Sequence, residues 1–370
     1  MKLVVVGIGR AGGRIAESLT AYNARQSSTF VVGSFAFDTT QADLDALTRI
    51  PEAHRVLYGQ LEVGGQGVDG DRELGKTLAV ENRRELLRSL DDVPTSQADA
   101  ILVAAGLGGG TGSAATRVLA EELRRTHDLP IYGVGALPSA DEPATAARNA
   151  ADSLRALRSA LDNLLLFDNE AWTVSGEFLE DACDRANAEL ARRLGVLFGA
   201  GEVDADDTVA ASVVDASEII NTLRGGDVST IGYSSTAVET ADTSSGFVSR
   251  LLGNSEPEPV EATAAIRVLE TGFRKAVRRK LTAPCSLDGT ERVLVVVSGP
   301  PEWLNRRGIE RGRQYVESET GCLELRGGDY PRPDSDRVEI DVLFSGVSDV
   351  PQIEALERAA LESEHLGNSE

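Results

Sequence analysis

Cysteine is scarce: Cys183, Cys285 and Cys322 are the three in 370 residues, an odd number lying far apart. They suggest neither a disulfide framework nor a zinc site. Histidine is as rare, and His54, His127 and His365 lack partners at metal-ligand or triad spacing, so no metal-binding side-chain set is expected. Lysine is nearly missing, with Lys2, Lys76, Lys275 and Lys280 against 33 Arg. No basic stripe exists to release counter-ions from phosphates, so nucleic acid is not an expected partner. No apolar run approaches the ~18 residues of a membrane span. No signal peptide opens the chain either, so a cytoplasmic location without direct membrane insertion is expected.

Acid is what the chain has in excess. It carries 59 Asp and Glu against 37 Lys and Arg, a net charge of −22 and a pI near 4.6. Acid spread along the whole chain suits the salty cytoplasm of a halophile, where counter-ions screen self-repulsion. A nucleotide here must be held by backbone N–H groups, helix ends and a cation. A chain of 370 residues buries a sizeable core and is expected to divide into two domains.

Residues 101–118, ILVAAGLGGGTGSAATRV, run from a buried strand through a glycine-packed loop into a helix. Gly106, Gly108, Gly109, Gly110 and Gly112 have no side chains to hold a phosphate off the backbone, and Leu107 sits among them. Thr111 and Ser113 are expected to add hydroxyl donors, and a helix beginning near Ser113 offers its positive end. No Lys follows, so this is not the GxxxxGK[ST] loop of ordinary NTPases.

A second cradle opens the chain. The apolar run Leu3–Val6 precedes Gly7-Ile8-Gly9-Arg10-Ala11-Gly12-Gly13-Arg14. Taken alone this is a GxGxxG dinucleotide fingerprint, and Asp38 closes the next apolar run where a ribose-binding acid would sit. An NAD(P)-dependent oxidoreductase is therefore a competing reading. Two phosphate loops on parallel strands of one sheet favour a nucleoside triphosphate instead.

Strand-like runs at 2–6, 30–37, 101–105, 131–136 and 163–167 alternate with helical patterns at 13–23, 72–90, 113–126 and 144–160. That alternation predicts a mostly parallel sheet covered on both faces. A long helix is expected over 176–198, stopped by Gly-Ala-Gly at 199–201. Beyond it come a helix at 207–223, a strand at 228–239, a surface loop at 241–260, a helix at 261–280, and apolar runs at 292–298 and 338–344. The second half reads as a smaller α+β domain.

Two domains joined by one long helix, with a GGGTGS loop in the first, resemble the tubulin/FtsZ superfamily. Arg292–Gly312 and Glu324–Pro331 (ELRGGDYP) are similar to the archaeal CetZ group within it. The resemblance covers essentially the whole chain. It implies a GTP-binding α/β domain over 1–175, a central helix over 176–200, a C-terminal α+β activation and polymerisation domain over 201–350, and a helix and polar tail over 351–370.

Carried over residue by residue, the resemblance makes Arg10, Ala11, Gly12, Gly13 and Arg14 the first nucleotide loop. Val68, Asp69 and Gly70 become the loop that senses the γ-phosphate, and Gly106–Ser113 the phosphate loop. It assigns Pro138 and Glu142 to the ribose, and Asn169 and Asn187 to guanine, whose O6, N1 and N2 suit an amide's paired donor and acceptor. Taken singly, each Asn is an ordinary cap or turn residue.

Asp215 and Glu218, in ASVVDASEIINTL, share one face of a helix start, where acids also simply complement the dipole. The resemblance implies that they reach over the nucleotide of the next subunit and position the attacking water. Departures from the family pattern are Arg10 in place of a small or amide side chain, Asp38-Thr39-Thr40 in the second loop, Pro143, and Cys183 where an aromatic often stacks on the base.

The implied function is a GTPase that polymerises head to tail as a cytoskeletal, cell-shape protein, with itself and related CetZ paralogues as partners. GTP or GDP is the implied ligand, with Mg2+ bound mainly through the phosphates. The oxidoreductase, or a catalytically weak nucleotide-binding regulator of the same family, is the alternative.

Overall fold

A computed structural model describes residues 1–26, 29–91, 95–172, 179–202, 214–225, 227–239 and 261–367, with the side chains of 179, 180, 201 and 363–367 left aside. In the nucleotide half, β1 (Leu3–Ile8), α1 (Gly9–Asn23), β2 (Val31–Asp38), α2 (Gln41–Asp45), β3 (Arg55–Leu57), α3 (Gln60–Val63) and α4 (Arg72–Arg88) come first. They are followed by β4 (Ala100–Gly106), α5 (Gly110–Thr126), β5 (Ile131–Leu137), α6 (Ala144–Ala160), β6 (Asn163–Asp168) and the one-turn α7 (Asn169–Trp172). The long α8 (Leu179–Gly199) leads to α9 (Ala216–Leu223), β7 (Val228–Ala237) and α10 (Ala262–Arg278). The chain then forms β8 (Arg292–Gly299), α11 (Arg306–Thr320), β9 (Leu325–Pro331), β10 (Arg337–Ser345) and α12 (Pro351–Gly367).

All ten strands join one sheet in the order β3-β2-β1-β4-β5-β6-β7-β10-β8-β9. β1 to β6 are parallel to their neighbours, as the βα alternation requires, and only β10 runs against the strands beside it. The two halves meet where β6 pairs with β7 over just Leu164↔Val228 and Leu165↔Ser229. Asn163 bolts that junction, its side-chain amide donating to the Leu223 carbonyl (3.2 Å) and to Ser345 Oγ (3.1 Å).

Each face of the sheet has its own core. On one face Leu78, Leu119, Leu154, Phe273, Val316 and Leu356 bring in α4, α5, α6, α10, α11 and α12. On the other, Ile15 and Leu19 of α1 pack with Leu190, Leu194 and Leu197 of α8 and with Ile219 and Leu223 of α9. The helical spacing of Ala182, Ala186, Leu190, Leu194 and Leu197 lays α8 along the sheet. At Gly195 an added Cβ would lie 2.0 Å from the Tyr22 ring, so α8 and α1 touch closely.

Several boundaries differ from those read in the sequence. Helices α1 and α5 begin at Gly9 and Gly110, not at 13 and 113, because the glycines themselves form the first helical turn. Of the helix expected at 207–223, residues 216–223 are helical; 207–213 lie outside the described residues, as do the start of the 176–198 helix and the 241–260 loop. Helix α11 and strand β9 were not anticipated as elements. β9 carries Gly327, Gly328 and Pro331, poor strand formers, yet it pairs in parallel with β8 over seven residues at the sheet's edge. A Cβ on Gly327 would stand 2.5 Å from the Val295 carbonyl oxygen, so the close pairing demands glycine.

One such approach of helix backbone to strand backbone is testable. A Cβ on Gly12 would lie 2.1 Å from the Ala104 carbonyl oxygen. Gly12→Ala is expected to lose about 3 kcal/mol or more, measured by urea denaturation. Unchanged stability would mean that α1 can lift off β4 freely.

Candidate functional site

β1 and β4 are parallel neighbours, so the chain leaves both at the same edge of the sheet and enters α1 and α5 side by side. Neither helix has a side-chain cap at its N-terminus. The first N–H groups of both are therefore orphaned, and their dipoles add at one place. That is the construction of an anion site.

The glycines divide into two kinds. Added Cβ atoms at Gly7 (2.3 Å from the Gly12 oxygen), Gly12, Gly106 (2.9 Å from Ala11 Cβ), Gly110 (2.6 Å from Val68 Cγ2) and Gly112 (2.8 Å from the Gly106 oxygen) would strike protein. Gly7, Gly12, Gly106 and Gly112 pack the two helices onto the strands, and Gly110 packs α5 against the 68–71 loop. Gly109 and Gly70 instead face open space, with nothing within 4 Å of an added Cβ. Exposed backbone that only a ligand would cover fits a phosphate group well. Gly70 (φ +79°) and Asp69 (φ +44°) hold the left-handed turn that presents this second loop.

A residue missed in the sequence ties the two loops together. Buried Asn149, on α6, donates from Nδ2 to the carbonyls of Gly70 (2.9 Å) and Gly108 (3.0 Å). Ser153, one turn on, donates to the Asn149 and Ser113 carbonyls. The available signal was a polar pair at i and i+4 on a face otherwise made of Ala146, Ala150 and Leu154.

The hydroxyls are disposed differently from expectation. Ser113 is fully buried and donates back to the Gly110 carbonyl (3.3 Å), so it is turned into its own helix. Thr111 Oγ1 lies 2.8 Å from Thr39 Oγ1, linking the phosphate loop to the loop after β2. There Asp38 Oδ1 accepts the N–H groups of Thr39 (2.7 Å) and Thr40 (3.2 Å). Burial, with neighbouring Asp43, nevertheless pushes its carboxyl up to about 7. Arg10 is exposed and turned aside, its Nε 2.8 Å from Asp43 Oδ1.

The remaining nucleotide-side residues flank this edge. Arg14 Nη1 reaches Asp184 Oδ1 (3.2 Å), pinning α1 to α8; Asn187 follows Asp184 by three residues and shares its face of α8. Asn169 opens α7 directly after β6. Its neighbour Glu170 accepts the Ala140 N–H (3.0 Å), which joins the 169 turn to the loop of Pro138 and Glu142. Exposed Glu142 accepts the Ser139 N–H through Oε1 (3.0 Å).

Asp215 and Glu218 stand elsewhere. α9 ends where the Leu223 carbonyl meets Asn163, the first residue of β6, so it lies at the sheet edge opposite the loops. A six-residue strand separates the two edges by roughly 20 Å. Asp215 caps α9, accepting the Glu218 N–H (2.9 Å) and the Ser217 hydroxyl (2.6 Å), which lower its pKa. Glu218 completes a reciprocal cap with the Asp215 backbone, while its Oε2 is buried without a hydrogen-bond partner. Burial first, then Asp215, raises the Glu218 carboxyl above its ordinary range.

Comparison with known proteins places this geometry. Residues 2–175 match the tubulin/FtsZ family GTPase domain, and residues 176–362 match the tubulin-like CetZ C-terminal domain. The chain belongs to the tubulin-like CetZ family. Tubulin-like protein CetZ5 of Haloferax volcanii is 48% identical, the match covering 98% of this chain and 92% of that one. Among solved structures, CetZ1 of H. volcanii as a GDP-bound monomer aligns with a TM-score of 0.87 at 41% identity, covering 98% of this chain and all of that one. CetZ2 of H. volcanii in a GTPγS-bound protofilament aligns with a TM-score of 0.86 at 36% identity, covering 99% and 100%. The first half of this CetZ protein is thus a tubulin-type GTPase domain, and the oxidoreductase reading of Gly7–Gly12 and Asp38 is not favoured. No helix among the described residues is long and apolar enough to cross a membrane.

Two outcomes follow from this edge. Gly109→Ala, whose backbone (φ −76°) accepts alanine, should leave stability within about 0.5 kcal/mol but weaken binding of a fluorescent GTP analogue about tenfold or more. Equal affinity would remove Gly109 from the cradle. Asp38 keeps its proton up to about pH 7 when folded and loses it near 3.8 when unfolded. The folded state therefore binds more protons in that window, and stability falls as pH rises through it. Asp38→Asn should be more stable than the parent at about pH 8, by up to about 4 kcal/mol, with the gap closing towards pH 4. Parallel denaturation curves at both pH values would contradict the buried, protonated carboxyl.

Proposed function

We propose that this CetZ protein binds GTP in the cradle of α1 and α5 and assembles head to tail, each GTPase site being completed by the next subunit. One observation carries the reading: the cradle and the acids Asp215 and Glu218 stand at opposite edges of the same sheet. No single chain brings them together, whereas stacking one chain's lower edge on another's upper edge does.

The backbone of Arg10–Arg14, Val68–Gly70 and Gly106–Ser113 would hold the phosphates, with Pro138 and Glu142 at the ribose and Asn169 and Asn187 at guanine. Among the described residues no three His, Cys, Asp or Glu side chains are gathered to hold a metal. Mg2+ would be held mainly by the phosphates and would neutralise charge on them during transfer. Asp215 shapes the helix start. Glu218, with a raised pKa, takes the proton of the attacking water.

Residues 1–175 and 201–350 then act as the nucleotide and activation units, joined by 176–200, with 351–370 as a terminal helix and tail. The filament serves cell shape in the cytoplasm, with copies of this chain and related CetZ paralogues as its subunits.

Glu218→Ala tests the reading. GTP binding should persist, polymer should form with GTP and not with GDP, and turnover should fall on the order of 10²-fold. Mixed with wild type, the variant should poison turnover beyond simple dilution, because each site draws on two subunits. Activity that merely scales with wild-type content in demonstrably mixed polymer would sink the shared site. Binding without any turnover by the unaltered protein would instead mark a nucleotide-binding regulator.

A further inference from the structure

Within the ELRGGDYP run, Leu325–Pro331 form β9, and the site described so far gives it no task. Its Arg326 pairs with Leu294 of β8, and Leu294 belongs to the core face that also holds Ile219 and Leu223 of α9. Residues paired directly across neighbouring strands point the same way, so Arg326 projects onto the face where α9 lies, beside Glu218. Two buried atoms here lack hydrogen-bond partners: Glu218 Oε2 on the helix and Arg326 Nε on the strand. The far end of the guanidinium is tethered, Nη2 lying 2.8 Å from Glu324 Oε1, and Glu324 is steadied by Arg292 Nε at 3.1 Å.

We propose that Arg326 is a positioning residue for the GTPase, holding the Glu218 carboxylate ionised and aimed at the neighbouring subunit's nucleotide. The inference rests on Glu218 being the acid that serves the attacking water. Among the described residues the main charges acting on Glu218 are Asp215 on its own helix, which pushes its pKa up, and Arg326 from β9 and Arg313 from α11, which pull it down. Arg313 comes round the free edge of the sheet, its Nη2 3.4 Å from the Leu325 carbonyl, and also acts on Asp329. Arg292, at the start of β8, is engaged by Glu324 and by the Arg224 carbonyl. Without Arg326 the half-buried Glu218 faces Asp215 with only the Asp215 N–H and Arg313 to offset burial. A base must be ionised to accept a proton, so the cation on β9 sets the pH at which hydrolysis begins.

The test is the pH dependence of GTP turnover at saturating GTP and equal sedimented polymer. Arg326→Gln should move the acid limb of the profile about half a unit to one unit higher, leave affinity for a fluorescent GTP analogue unchanged, and slow turnover several-fold below the limb. Arg326→Lys should restore most of the shift. Glu324→Gln should move the limb the other way, because it removes a carboxylate that competes for the guanidinium. This variant also keeps the proposal testable if Arg326→Gln does not fold.

In a Glu218→Gln background the limb should vanish, and Arg326→Gln should then have no further effect on the residual rate. If Glu218→Gln turns over like wild type, the assignment of Glu218 fails. If Glu218→Gln is slow but the Arg326 and Glu324 variants keep the wild-type profile, the role of Arg326 alone is overturned. The same holds if Arg326→Gln slows the Glu218→Gln protein equally.

Discussion

The close approach of α1 and α5 to the strands beneath them, where Cβ atoms at Gly7, Gly12 and Gly112 would strike carbonyl groups at 2.3, 2.1 and 2.8 Å, fixes everything else at the upper edge of the sheet. The uncapped first turns of both helices follow neighbouring parallel strands, and Asn149 ties the Gly70 loop to Gly108 beside them. The N–H groups of three chain segments then face one space. Asn149 and the Thr39–Thr111 contact hold those segments in register from behind. In a chain with a net charge of −22 this arrangement solves a particular problem. In the proposed site, anion binding is delegated to backbone dipoles, which carry no titratable charge.

Much of this was legible in the sequence because it rests on residues with few other uses. A dense glycine run between an apolar run and a helix has one common structural meaning, and the βα alternation gave the parallel half of the sheet its strands. The purpose of individual glycines was not legible. Gly109 and Gly106 look alike in sequence, yet one faces open space and the other faces Ala11. β9 escaped because its pairing with β8 overrides the poor strand propensity of Gly327-Gly328, a tertiary effect that no local pattern reports. Asn149 escaped because a buried amide in a helix gives a signal only once its partners, 79 and 41 residues away, are known.

Asp215 and Glu218 show how two acids at helical spacing come to differ. Asp215 is exposed and fully engaged by the helix start, so its charge is stabilised locally. Glu218 is drawn into the seam between α9 and β9, loses water, and keeps an oxygen without a partner. A capping box in an isolated helix would treat both as structural. It is the strand behind α9 that separates their chemistry.

The sheet joining the two halves is ten strands wide but only two residue pairs deep at β6–β7, where β7–β10 is nine pairs long. Mechanically this is a plank scored along one line. Bending strain concentrates where a section is thinnest, so curvature imposed on the molecule would gather at that crease and leave the hydrogen-bond ladders on either side intact. Asn163, fastened to both Leu223 and Ser345, acts as the rivet across the score. Flexure of any longer assembly made from this chain would be resisted there by that amide, by α12 packed on α6 and by the Arg158–Asp227 ion pair, far from the phosphate cradle.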